Sequence, residues 1–135
     1  MNQVRSARCA DATRIAQLAD DLGYSIDPET VRATIDRLRP SEGAAFVSEA
    51  GEDLTGWVHV YRSDLLQTEP FAEVGGLVID PANRGVGNGR RLLEAAEQWA
   101  ESNNLTVIRV RSNVVRPKAR SFYKRRGYEI EKMPY

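Results

Sequence analysis

Between residues 83 and 100 the chain reads NRGVGNGRRLLEAAEQWA, with Gly85, Gly87 and Gly89 interleaved with Arg84, Arg90 and Arg91 ahead of an amphipathic run. Glycines let a backbone turn tightly and bring several N–H groups onto one anion. The mouth of a helix adds unpaired donors and partial positive charge. Together they make a seat for a phosphate. Two familiar phosphate loops fail on spacing. The dinucleotide pattern G-x-G-x-x-G, begun at Gly85 and Gly87, requires glycine where Arg90 stands, and no G-x-x-x-x-G-K-[ST] can be drawn.

The elements that position this loop follow from periodicity and punctuation. QVRSARC predicts a short strand, and Asp11 a cap for an amphipathic helix carrying Ile15, Ala16, Leu18, Ala19 and Leu22, closed by Gly23. DPET opens a second helix with Asp27 as N-cap, Pro28 in the first turn, and Val31, Ile35 and Leu38 on one face; Pro40 stops it. AAFVSEA, LTGWVHVYR and AEVGGLVID predict three antiparallel strands. In the second of them Trp57, His59 and Tyr61 share one side and Val58 and Val60 the other. The Gly75-Gly76 pair in the third predicts a bulge or a close backbone approach. Leu92, Leu93, Ala96, Trp99 and Ala100 form the buried stripe of the helix after the glycine loop. LTVIRVR predicts a strand, Pro117 starts a short helix ended by Gly127, and YEIEKM closes the series. The order β-α-α-β-β-β-α-β-α-β predicts an α/β sandwich on a mixed sheet.

R-G-x-G-x-G at Arg84 to Gly89, after V-I-D-P and before R-R-L-L, resembles the acetyl-CoA loop of the GNAT superfamily of N-acetyltransferases. SNVVRPKARSFYKRRGY resembles that family's second signature, an asparagine after the fifth strand and then A-x-x-F-Y-x-x-x-G-[FY]. Asn113, Ala119, Phe122, Tyr123, Gly127 and Tyr128 occupy those positions. The element order is similar too, so the resemblance spans nearly the whole chain. It implies one domain over residues 1–135, a three-layer sandwich with a mostly antiparallel sheet, and transfer of an acetyl group from acetyl-CoA to a primary amine.

By that resemblance, the backbone from Gly85 through Val86, Gly87, Asn88 and Gly89 to Arg90 cradles the coenzyme's pyrophosphate. Arg84, Arg90 and Arg91 add charge-assisted bonds to it or to the 3′-phosphate, or the last two are solvated helix residues. The pantetheine arm lies along Leu77, Val78 and Ile79, with the Val78 N–H as a modest oxyanion donor, and Asn113 bonds the pantetheine amides. Glu73 stands where many members carry the base that deprotonates the amine; its other role is to anchor the substrate ammonium. Tyr123 protonates the departing thiolate. The loop LADDLGYSIDPETV walls the acceptor pocket, and Asp20, Asp21, Tyr24 and Asp27 make it acidic and partly aromatic, which suits a cationic amine. His59 is a lesser candidate base.

The short S-N-V-V-R stretch (Ser112 to Arg116) is similar to one in small bacterial members such as aminoglycoside and aminoalkylphosphonate acetyltransferases, without assigning either substrate. A small-molecule amine is the leading acceptor. A protein or peptide amine and a non-catalytic acyl-CoA-binding module are the alternatives. Glu73 and Tyr123 argue against the last, because binding alone needs neither. Cys9 has no histidine near it in sequence, so direct attack in a ternary complex is expected rather than a covalent acetyl-cysteine.

Composition excludes other classes. Lys plus Arg and Asp plus Glu both number 19, so no global field draws the chain to nucleic acid or a membrane. One cysteine and one histidine cannot build a metal cluster, and no metal is expected. No apolar run approaches the ~20 residues of a membrane span, and the start is too polar for a signal peptide, which predicts a cytoplasmic protein. The family usually carries a seventh strand, a run such as F-x-K-x-L, where this sequence stops at EKMPY. An edge left uncovered there would favour a homodimer.

Overall fold

The computed structural model describes residues 2–21, 23–83, 87–111 and 129–131. Strand β1 (Asn2–Ser6) leads through a 3-10 turn at Cys9–Asp11 into helices α1 (Ala12–Asp20) and α2 (Pro28–Arg37). Strands β2 (Gly43–Ala50), β3 (Asp53–Ser63) and β4 (Phe71–Ile79) follow, then a 3-10 turn at Pro81–Asn83, helix α3 (Asn88–Ser102) and strands β5 (Ile108–Arg111) and β6 (Glu129–Glu131). The six strands form one sheet in chain order. The first four are antiparallel neighbours; β4 with β5 and β5 with β6 are parallel. The α/β mixed-sheet expectation holds. The helix predicted from Pro117 lies outside the described residues.

Alternation along β3 sorts the layers. Val58 and Val60 are fully buried against Ala72 and Val74 of β4 and against Leu92, Leu93, Ala96 and Trp99 of α3. Trp57 faces the other way, against a cluster of Ile15 and Leu18 of α1 with Val47, Leu54 and Val78, on which Val31 and Ile35 of α2 also pack. Helix α3 therefore covers one face of the sheet and α1 with α2 the other, each through the apolar stripe its 3.6-residue period builds.

One predicted cap bond and one predicted boundary differ, for local reasons. Asp11 sits at the N-cap of α1 but makes no side-chain cap bond there. Its carboxylate instead accepts the Arg8 N–H at 2.7 Å and both Arg5 terminal nitrogens at 2.9 and 3.0 Å, and Arg5 Nε donates to Glu49 at 3.1 Å. A bidentate arginine outcompetes a cap interaction. Strand β5, predicted from Leu105, begins at Ile108. The Leu105 N–H is spent on the Ala100 carbonyl at 2.9 Å, closing α3 with Asn104 left-handed at φ 61°. The cap at Gly23 is as predicted: φ is 91°, its N–H reaches the Asp20 carbonyl, and that of Tyr24 reaches Ala19.

Candidate active site

The glycine loop joins the end of β4 to α3. Asp80 organises the turn between them. Its carboxylate accepts the Ala82 N–H at 3.2 Å and the Asn83 amide at 3.4 Å, while Arg14 of α1 reaches it at 3.3 Å. Gly87 caps α3 at φ 87°, a conformation that favours glycine. Asn88 is 1% exposed; its side chain donates to the Asn83 carbonyl at 3.3 Å and accepts from Arg91 Nη1 at 3.4 Å. Nitrogens of the Arg90 and Arg91 guanidinium groups lie 3.6 Å from where a Cβ on Gly87 would stand. Arg90 is also 3.7 Å from Glu94, one turn on.

Two cations and no acid thus occupy the first turn of α3, where the helix dipole disfavours each by about 0.3–1 kcal/mol. An anion bound at the mouth reverses that penalty. Asn88, Gly89 and Arg90 follow Gly87 directly, so their N–H groups belong to the first turn, which has no intrahelical partners for them. Arg84, Gly85 and Val86 lie outside the described residues, as do Asn113 and Tyr123.

The predicted bulge is present. His59 pairs with Gly76 and Val60 with Val74, leaving Gly75 extra on β4. A Cβ on Gly75 would come within 2.7 Å of the Tyr61 ring, and one on Gly76 within 2.7 Å of the Trp57 ring. Both glycines are therefore needed for aromatic rings to lie against the backbone. The bulge also ends the β4–β5 ladder, which runs from the Ala72–Ile108 pair to the Val74–Val110 pair. Beyond it, β4 has no strand partner on that side among the described residues, so Leu77, Val78 and Ile79 border an open edge.

Only alternate backbone groups face that edge. The Asp80 N–H donates to the Thr55 carbonyl of β3 at 2.9 Å, and hydrogen bonding alternates along an antiparallel pair. With Trp57 opposite Val78, the Val78 N–H is aimed at β3, and those of Leu77 and Ile79 at the open edge. The Val78 N–H, expected as an oxyanion donor, is thus aimed at β3 and not at the open edge.

Glu73 lies just before the bulge and is 6% exposed. The Tyr61 hydroxyl donates to its Oε2. Tyr61 is its cross-strand partner on β3 and Arg109 its partner on β5, so a phenol and a guanidinium flank the carboxylate on one face. The Arg109 guanidinium also stacks over Phe71, 4.5 Å from the ring centre. His59, on the same face, lies 5.5 Å from Tyr61 between ring centres, and burial lowers its pKa, which favours neutral imidazole. Neither Tyr61 nor Arg109 was singled out as a site residue in the sequence. Tyr61 was readable as a face-mate of His59, but its pairing with Glu73 depends on the hairpin register and the bulge.

The predicted acceptor residues divide. Tyr24 is 40% exposed after the α1 cap, and Asp20 and Asp21 are exposed beside it. Asp27 uses its carboxylate to cap α2, accepting the Glu29 N–H at 3.0 Å. Cys9 is half-buried, with its sulfur 3.8 Å from the Arg32 carbonyl. Among the described residues no group of acids, histidines and cysteines could hold a metal, and no helix is long and apolar enough to cross a membrane.

A mixed sheet whose β4–β5 ladder stops at a bulge among the described residues, followed by a Gly87-capped, anion-ready helix, has the acyl-CoA N-acyltransferase type of architecture. The chain belongs to the acetyltransferase (GNAT) family, whose model matches residues 11–128, and it is an acetyltransferase. It is 26% identical over 132 residues to the uncharacterized N-acetyltransferase YhfO of Bacillus subtilis, covering 93% of this chain and 89% of that protein. A crystal structure described as a transcriptional regulator from Bacillus halodurans superposes with a TM-score of 0.80 at 25% identity, covering 96% of this chain and 93% of that one. Aminoglycoside N-acetyltransferase AAC(6')-Iy in complex with CoA superposes with a TM-score of 0.82 at 15% identity, covering 100% and 93% of the two chains. At that identity the likeness is one of fold.

Proposed function

We propose that the protein transfers an acetyl group from acetyl-CoA to the primary amine of a small molecule, by direct attack in a ternary complex. The observation that carries this reading is the order of three features along one strand and the helix after it: the Glu73 carboxylate just before the bulge, the β4 edge beyond it, and the cationic mouth of α3. The pyrophosphate sits on the backbone donors of the α3 mouth, with Arg84 and Arg91 adding charge-assisted bonds. Pantetheine runs along the open edge, helped by Asn113. The Leu77 N–H polarises the thioester carbonyl as the tetrahedral intermediate forms.

An alkylamine with a pKa near ~10 is almost wholly ammonium at neutral pH, so attack requires that a proton be removed. Glu73 takes that proton, directly or through water. The nitrogen then bonds to the carbonyl carbon, the carbon–sulfur bond breaks, and Tyr123 protonates the thiolate. The carboxylate, the aromatic face of Trp57 and Tyr61 beside it, and the exposed Tyr24 and acidic α1 end suit a cationic acceptor. A buried carboxylate held by a phenol at the end of a coenzyme track favours turnover over binding alone.

The test is a thiol-release screen with acetyl-CoA across small primary amines, aminoglycosides and amino-terminal peptides. Release with at least one small amine is expected. Release with peptides alone would assign a protein acceptor, and no release in the presence of bound acetyl-CoA would overturn the enzymatic step.

A further inference from the structure

The coenzyme loop contains a side chain that the glycine pattern does not explain. Asn88 occupies the first position of α3, is almost fully buried, and uses both ends of its amide. Nδ2 donates to the Asn83 carbonyl in the turn leaving β4, and Oδ1 accepts from the Arg91 guanidinium. Asn83 is in turn fastened to Asp80, which also accepts from Arg14 of α1. Burying an amide costs free energy unless both ends are satisfied, so the turn carbonyl and the arginine are tied to the same residue. The anchored nitrogen belongs to a guanidinium that lies beside the Gly87 cap.

We infer that the Asn88 side chain is a positioning residue for coenzyme binding: it fixes Arg91 over the mouth of α3, where that guanidinium meets the pyrophosphate of acetyl-CoA. The inference rests on the proposed acetyl-CoA site and adds a residue-level dependence to it. Arg90 lies instead 3.7 Å from the exposed Glu94 one turn on. Without Asn88, Arg91 keeps its charge but loses the anchor that ties it to the turn leaving β4, and ordering its chain on binding then costs affinity.

The test is a double-variant cycle read by calorimetric titration of acetyl-CoA. Asn88→Leu, similar in size but without hydrogen bonding, is expected to bind about tenfold more weakly, the scale of one hydrogen bond to a charged group. Arg91→Met should lose at least as much, and the double variant should bind no worse than Arg91→Met alone, because the two residues act as one unit. A merely structural Asn88 would lower the unfolding temperature yet multiply its loss with that of Arg91→Met, and this outcome overturns the inference. So does wild-type affinity in Asn88→Leu. Absence of binding by the wild-type protein would overturn the acetyl-CoA site itself. If Asn88→Leu shows no cooperative unfolding transition, Asn88→Ala takes its place with the same expected pattern.

Discussion

A carboxylate buried to 6% exposure needs a partner for its charge, and Glu73 has the Tyr61 hydroxyl. This pairing leads to a kinetic expectation. Glu73→Gln should lower kcat by about 10²–10⁴-fold, the usual contribution of a positioned base, with acetyl-CoA affinity unchanged. Tyr61→Phe should cost less, because it frees the carboxylate to move without removing it. Equal loss of turnover and coenzyme affinity in Glu73→Gln would assign Glu73 to structure. The same face carries a pH signature. Burial depresses the pKa of His59, so below its ordinary value of about 6.5 the unfolded chain binds a proton that the folded one refuses. Stability should therefore fall as pH drops through the window beneath about 6.5, and His59→Gln should flatten that slope in urea unfolding. Asp11 does not confuse the reading. Burial opposes its charge, but hydrogen bonds from Arg5 and Arg8 outweigh burial and hold its carboxyl below the ordinary carboxylate range, so its stabilisation is lost only as pH falls further. A slope unchanged in His59→Gln would contradict the assignment.

Elements decide which of these residues meet. The Gly75-Gly76 pair announces a bulge or a close backbone approach in the sequence, and the structure has both: the Tyr61 and Trp57 rings lie on the backbone, and the β4–β5 ladder stops at the bulge, leaving β4 without a strand partner there among the described residues. Gly76→Ala would press a methyl group to 2.7 and 2.8 Å from the Trp57 ring. It should destabilise the protein by about 1–3 kcal/mol, as overpacking does, and shift tryptophan fluorescence; a variant as stable as wild type would mean the ring moves freely. Helix α2 was legible in detail, since D-P-E-T encodes cap, first turn and acid in adjacent residues, and Asp27 serves as that cap. Strand parity was not. Choosing between Val78 and Leu77 as the open-edge donor requires knowing which carbonyl the Asp80 N–H reaches, a fact about β3 rather than β4. The Tyr61–Glu73 pair was hidden for the same reason, because one bulged residue shifts every later partner. Asn88 was legible only as a loop residue: nothing in R-G-x-G-x-G says that its side chain turns inward.

At the scale of the whole molecule the charges cancel, with 19 of each sign, so attraction for a polyanionic coenzyme must arise locally at the mouth of α3. The fold class was readable from element order, and the family from two glycine- and tyrosine-bearing motifs at opposite ends of one α/β unit. The acceptor was not, because the groups proposed to meet it, Tyr61, Glu73 and the α1–α2 connection, lie far apart in sequence. Every proposed step depends on coenzyme binding at the mouth of α3. Calorimetric titration of acetyl-CoA into the wild-type protein at low and high salt should show one site with a dissociation constant on the order of micromolar, weakening as salt screens the local arginines. No binding at either salt, or binding indifferent to salt, would contradict the phosphate seat at the mouth of α3.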